Sequence, residues 1–455
     1  MKMKLIAAAV SLIAAAPAFA LNPTLTAAAI TAGNVVRASG ASAPTNIVFR
    51  GFQGLCKAGT LDTYSNKTVA AAIKPGSSAW GNFLAYSCTI PSGTAGFAAD
   101  TNVAFLHTVD GGSINSLYGM STDASQQVRF ITDALTSCVD SNMTETDTSA
   151  KIYHKCAIAK KQSHGGFSDV EKQMWTTLFN TNPPIGVNVA DVTVTAVPAG
   201  QAFGVAVSKA LYEALQLAQG LTGCTGDNVT EACQPNITKR DYASIVNASP
   251  FSVTKADWSF LVPTSTQKVH LCRRADTSGT QASSNVYFLG NPCSSFEEQT
   301  GKRNPATVAD SDVGFQVYDL AGTGDAKKCL SGDYVGYTTT ASDFSIGVVS
   351  AENKPTVPAT LGGVDGDSWR FVKLDGVSIY DGVGSRANVL NGKYDFAFEL
   401  VLHTHPTITS TVANNVMTEV AAYLGNASAP AIDGLYRIAD AKGTRGGNSC
   451  QPFAY

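Results

Sequence analysis

The apolar positions of this chain fall into two rhythms that alternate along most of its length. Short runs such as VVRASG at 35–40, NVAFLHTV at 102–109, VTVTAV at 192–197, FGVAV at 203–207, FSIGVVS at 344–350 and YDFAFELVL at 394–402 are continuous or two-periodic, and predict strands. Between them the spacing becomes helical. Ile47, Val48, Phe52 and Leu55 follow Ser42-Ala43-Pro44, where Ser42 can cap a helix and Pro44 fits its first turn. Met174, Trp175 and Leu178 follow Ser168-Asp169-Val170-Glu171, a capping-box spacing. Ser208 leads a helix through Leu211, Leu215 and Leu217, ITKRDYASIV (237–246) makes another, and Val412, Val416, Val420 and Leu424 mark an amphipathic helix near the end.

Strands alternating with helices predict an α/β fold with largely parallel sheets. The run at 394–402 is long enough to cross between two domains. Two segments break the rhythm, Cys56 to about Asn102 and Ser121 to Lys161; each is polar and holds two cysteines, and both read as insertions stapled to a core.

Composition adds a compartment. The first twenty residues, MKMKLIAAAVSLIAAAPAFA, combine Lys2 and Lys4, an apolar run from Leu5 to Ala15 and the small-residue ending Ala18-Phe19-Ala20, the pattern of a cleavable signal peptide over 1–20. Leu21 would lead the mature chain, so no lipid anchor is indicated. No later apolar run reaches the roughly eighteen residues of a membrane span, and a soluble periplasmic or secreted protein without membrane insertion is expected. All ten cysteines lie beyond residue 20, an even count that predicts disulfides. Sequential neighbours are expected to pair, above all Cys224–Cys233 and Cys272–Cys293, because each closes a short loop. Without Lys2 and Lys4 the 32 basic residues become 30 against 35 acidic ones, a net charge of about −5 that argues against nucleic acid as a partner.

The densest chemistry lies in CRRADTSGTQASSN, residues 272–285, between the apolar KVHL and the helix-like VYFLG. A glycine-containing turn at a helix N-terminus offers unpaired N–H groups and a partial positive charge, a ready anion site. Gly279 allows close backbone approach, Ser278 and Thr280 add hydroxyls, and Arg274 can present a bidentate fork to a tetrahedral oxyanion.

Arg274-Ala275-Asp276-Thr277-Ser278-Gly279-Thr280 resembles the R-x-D-x-S-G-T signature of the periplasmic phosphate-binding proteins that feed phosphate ABC transporters. Gly40-Ala41-Ser42-Ala43-Pro44 resembles that family's N-terminal glycine-rich turn, and Ser168-Asp169 its serine–aspartate pair. The resemblance implies a two-lobed type II periplasmic-binding fold, with residues 33–198 and 400–455 in lobe one, 199–399 in lobe two, and a two-strand hinge near 196–203 and 394–402. It implies a phosphate or related oxyanion held by the Ser42 hydroxyl, the Ala43 N–H, Arg274, Ser278, Gly279 and Thr280, with Asp169 accepting the ligand's proton and Asp276 holding Arg274 by an ion pair.

The family's second loop has a serine just before paired glycines. Here Val109 and Asp110 stand ahead of Gly111-Gly112-Ser113, so Gly112 and Ser113 are the candidates there, and Asp110 would repel a dianion. An ABC permease is the implied partner, the protein is expected to be a monomer and not an enzyme, and no cofactor or metal is called for. His403-x-His405 places two imidazoles on one strand face without an evident third ligand and is read as structural. Two other readings stay open: an extracellular interaction protein that keeps the fold without a ligand, and a phosphatase-like enzyme.

Overall fold

The computed structural model describes residues 20–68, 81–144, 150–247, 258–267, 269–293, 315–333, 342–355, 357, 368–379, 387–427 and 435–455. Residues 1–19, nearly all of the expected leader, lie outside these.

The chain begins with helix α1 (Pro23–Thr31), strand β1 (Val35–Ser39), helix α2 (Thr45–Leu55) and strands β2 (Asp62–Ser65), β3 (Phe83–Ile90) and β4 (Thr101–Thr108). Helix α3 (Asn115–Tyr118) leads into β5 (Val128–Ile131), β6 (Val139–Thr144), β7 (Lys151–His154), β8 (Ile158–Lys161), β9 (Gly165–Ser168) and α4 (Thr176–Thr181). The long β10 (Thr193–Ser208) is followed by α5 (Lys209–Ala218), β11 (Asn236–Ile237), α6 (Lys239–Asn247), β12 (Val269–Arg274) and α7 (Gly279–Leu289). Then come β13 (Phe315–Leu320), α8 (Thr323–Ser331), β14 (Ser345–Ser350), β15 (Trp369–Phe371) and β16 (Lys373–Leu374). Helix α9 (Ala387–Leu390), β17 (Ala397–Thr404), α10 (Thr411–Leu424) and β18 (Leu435–Arg437) complete the order.

One mixed sheet of 14 strands runs through the molecule in the order β13-β12-β14-β10-β17-β9-β1-β4-β3-β2-β7-β6, with β15 and β18 also on β10. Its two halves meet at β10. Residues 203–207 of that strand pair antiparallel with β14, and residues 193–202 pair antiparallel with β17. Strand β10, with β17 beside it, thus joins the two halves of a mixed α/β sheet. In the first half β1 lies parallel to both β4 and β9; in the second, β12 lies parallel to both β13 and β14. Parallel triplets place the ends of their strands, and the helices that follow, on one edge, where open α/β sheets bind ligands.

Each triplet is packed by its own helices. Helix α2 buries Ile47, Val48, Phe49, Phe52 and Leu55, each contributing roughly 1.5–3 kcal/mol of burial. It lies against α10, which buries Val416, Val420 and Leu424 in the same core. A separate core forms in the second half around β10, β12, β14 and helices α5 to α8.

Five disulfides bond all ten cysteines. Cys56–Cys88, Cys138–Cys156 and Cys224–Cys233 pair as sequential neighbours, and the first two staple the segments that interrupted the rhythm. Within these segments β3, β2, β7 and β6 extend the main sheet beyond β4. The expected Cys272–Cys293 bond does not form. Cys272, buried in β12, bonds Cys329 of α8, and Cys293, beyond the end of α7, bonds Cys450 of the tail. Short separation in sequence proved a poor guide because the helix after the neighbouring strand packs on β12, while α7 carries Cys293 toward the C-terminal segment.

Two expected caps also take other forms. Ser42 is exposed, and its carbonyl accepts from the N–H and Oγ1 of Thr45 while α2 starts one residue beyond Pro44. Ser168 ends β9 and turns its hydroxyl to the Val170 carbonyl at 2.6 Å, and Glu171 accepts instead from the backbone and hydroxyl of Ser449 in the tail. The segment is a strand end followed by a 3-10 turn at Lys172–Trp175, so no capping box is formed there.

Candidate functional site

Six loops meet where the triplets face each other. After β1, β4 and β9 come Gly40–Pro44, Val109–Ser113 and Asp169; after β12, β13 and β14 come Ala275–Ser278, Ala321–Gly322 and Ala351–Lys354. Between them opens a cleft of about 830 Å³. From the first half it is lined by Ser42, Ala43, Thr45, Asn46, Asn82 and Asp110, among others; from the second by Arg274, the first turn of α8, Lys327, Glu352 and Lys354.

Arg274 is the buried cation of this cleft, only 5% exposed. Its Nε donates to the Leu320 carbonyl at 3.3 Å, Nη1 to Thr323 Oγ1 at 2.7 Å and Nη2 to the Ala321 carbonyl at 3.1 Å. A guanidinium has five N–H donors, so two remain for a ligand. Burial lowers its pKa to about 10, which leaves it charged at neutral pH, and Asp169, Asp325 and Glu352 act against that shift. Asp276 is not its partner. That carboxylate pairs with Arg273.

Beside Arg274 stands the N-terminus of α8. The N–H groups of Thr323, Gly324 and Asp325 have no hydrogen-bond partner among the described residues, and a side chain added at Gly324 would meet nothing within 4 Å. The Asp325 carboxylate accepts from the Gly322 N–H at 3.2 Å. The disulfide Cys272–Cys329 ties α8 to β12 two residues before Arg274.

The other candidates gather at α7. The Gly279 N–H donates to Ser113 Oγ at 3.1 Å, and Ser113 donates to Asp169 Oδ2 at 2.7 Å. A Cβ on Gly279 would collide with Asp169 Oδ2 and Ser113 Oγ, so any larger residue must push these side chains aside. A Cβ on Gly112, at φ +85°, would lie 2.8 Å from the Thr277 carbonyl oxygen and 3.1 Å from Ser278 Cα. The backbone adds a further bond between the halves, from Ile114 N–H to the Thr277 carbonyl at 3.2 Å. Ser278 and Thr280 are buried at this junction, and neither hydroxyl has a hydrogen-bond partner among the described residues. Asp169 is itself 3% exposed; its Oδ1 has no partner, and burial pushes its pKa up to about 6, against the pull of Ser113 and Arg274.

Thus Gly112, Ser113, Asp169, Ser278, Gly279 and Thr280 come together at the α7 mouth, where protein atoms stand in front of the Gly279 amide. Arg274, Ser42 and Ala43 line the open cleft. Asp110 lines it too, and its charge is met by Arg129 at 2.9 Å.

Sequence reasoning missed Thr323, Gly324, Lys327 and Glu352. The turn Ala321-Gly322-Thr323-Gly324 after an apolar strand carried the same small-residue signal as the α7 motif. Glu352, held by Ser350, Asn353 and Gln201, has its pKa raised by burial to about 7. His403 and His405 belong to β17 and the turn after it; Nδ1 of His403 bonds Ser116 Oγ and Nδ1 of His405 bonds Thr407. The described residues contain no group of three or more metal-ligating side chains.

No family model and no curated protein matches the chain. Among solved structures it is similar to a protein from Clostridium perfringens described as a phosphate ABC transporter substrate-binding protein with bound phosphate, at 12% identity and a TM-score of 0.39 over 85% of this chain and 93% of that one. An ABC-type phosphate transport receptor from Vibrio cholerae matches at 14% identity and a TM-score of 0.26, covering 50% of this chain and 71% of its own. A protein from Planctomyces limnophilus described as phosphate-binding gives 14% and 0.26, with 50% and 61% covered. These values are too low to transfer a ligand, so the site is read from its own atoms.

Proposed function

We propose that this chain is an exported solute-binding protein that captures phosphate or a related oxyanion in the cleft between its lobes and hands it to an ABC permease or a sensor. The single observation that carries this reading is the buried Arg274 guanidinium, which keeps two N–H donors for the cleft beside the unpaired amides of α8. Such charge-assisted bonds in a low-dielectric recess are the strong ones. The cleft is a place to bind; nothing in this reading requires it to transform its ligand.

In this proposal residues 1–20 direct export, and lobe one comprises 33–198 and 400–455, with 199–399 as lobe two. Strands β10 and β17 form the hinge. Ser42, Ala43 and Arg274 face the ligand, with Thr323 and Gly324 joining them. Gly112, Ser113, Asp169, Ser278, Gly279 and Thr280 form a latch across the lobes, in which the Ser113 hydroxyl takes the position at Gly279 that an oxyanion would otherwise use. The mature protein works as a monomer without a cofactor.

Calorimetric titration of the mature protein with phosphate and with sulfate tests the reading, with binding expected for the wild type and its loss for Arg274→Ala. The Ser113–Asp169 latch also supports a second reading, a protein that keeps the fold for interaction and takes up no anion. Absence of binding by either anion to the wild type would favour it.

A further inference from the structure

Resting on the anion-capture reading above, we infer that the ligand of the cleft is a phosphorylated polyol, a phosphate ester of a hydroxylated carbon chain, rather than inorganic phosphate. The first argument is size. A volume of about 830 Å³ is in the range of pockets that enclose whole organic ligands, whereas an inorganic phosphate displaces only a few waters of roughly 30 Å³ each. An anion on Arg274 alone would leave most of the cleft to solvent.

The walls say what the remainder of the ligand is made of. On the Arg274 side stands Lys327, whose ammonium has no hydrogen-bond or ion-pair partner among the described residues, so the anionic head is met by two cations and the α8 amides. The acids that line the cleft are engaged by the protein's own donors: Asp110 by Arg129, Asp325 by the Gly322 N–H, and Glu352 by Ser350, Asn353 and Gln201.

The opposite wall is formed by the start of α2 and by Asn82, and it offers hydroxyls and amides. Ser42, Thr45, Asn46 and Asn82 carry these groups, and a ligand with hydroxyls along its chain can exchange hydrogen bonds with this wall, where an orthophosphate held on Arg274 has no atoms. No aromatic side chain lines the cleft among the described residues, so a nucleobase or other flat ring finds no stacking face, whereas a polyol needs none.

The test is calorimetry on the full mature chain with four probes: inorganic phosphate, glycerol 3-phosphate, a hexose 6-phosphate and the unphosphorylated hexose. At least one ester should bind about tenfold or more tightly than inorganic phosphate, a gain of roughly 1.4 kcal/mol, and the free hexose should give no heat. Asn46→Leu should reduce the ester's preference over inorganic phosphate by about fivefold, with an unchanged thermal midpoint establishing that the variant is folded. Inorganic phosphate binding as tightly as both esters, or an ester preference untouched in Asn46→Leu, would overturn this inference and leave anion capture standing. Failure of all four probes would overturn both.

Discussion

Helices α7 and α8 begin in the same way, each after one of two hydrogen-bonded parallel strands, β12 and β13, and each with small residues in its first turn. Their mouths are nonetheless opposites. The Gly279 N–H is taken by Ser113, which in turn donates to Asp169, both contributed by the other half of the sheet; a Cβ placed on Gly324 would meet nothing within 4 Å. Local sequence gives both helices the capacity to bind an anion through unpaired N–H groups. Which one uses it is decided by the residues that arrive from elsewhere in the chain. The α7 mouth has become a contact between the two halves of the sheet, and the guanidinium of Arg274 has turned toward α8.

The largest effect is expected from removing that guanidinium. Arg274→Ala should weaken phosphate binding by about 2–4 kcal/mol, roughly thirtyfold to nearly a thousandfold, read by calorimetry beside a circular-dichroism check of folding. Next comes the clamp behind the open mouth. Replacing Cys272 and Cys329 together by alanine should cost about 2–4 kcal/mol of stability in a denaturant titration, and should weaken anion binding as well because α8 loses its tie to β12.

The closed mouth answers to pH instead. Burial raises the Asp169 pKa from the ordinary aspartate value of 3.8 to about 6, so the folded state holds this proton more tightly than the unfolded one. Its contribution to stability is therefore fully present below about pH 4, declines as the pH rises, and is gone above about pH 6. Asp169→Asn cannot titrate, so its thermal midpoint should fall less over that window, with up to roughly 3 kcal/mol separating the two curves. A parallel pair of curves would show that Asp169 is ionised in the folded chain throughout. The smallest effect should come from Gly279→Ala, which crowds Ser113 and Asp169 and should cost about 1–3 kcal/mol of stability while changing anion affinity little.

Much of this architecture was legible in the order of residues. The apolar runs at 35–40, 102–109, 203–207 and 344–350 became strands, Val416, Val420 and Leu424 became the buried face of α10, and the run at 394–402 lies largely within the crossing strand β17. Those signals are local and periodic. The errors came where several partners, near or distant in the chain, compete for one group. Asp276 had two adjacent arginines to choose from and took Arg273. Glu171 could cap its own helix and instead received Ser449, while Cys272 found Cys329 on a helix that packs over its strand. The same kind of competition hid α8, because nothing within its own sequence says that a serine and an aspartate from the other half of the sheet will close its neighbour.

The most direct measurement follows the two mouths at once. With glycine labelled selectively in ¹⁵N in deuterated protein, phosphate is titrated in and the amide resonances of Gly324 and Gly279 are tracked, each assigned by its alanine variant. The account predicts a saturable shift at Gly324 and little change at Gly279. A large shift at Gly279 with Gly324 unmoved would mean that the ligand displaces Ser113 and binds at α7, and would contradict it.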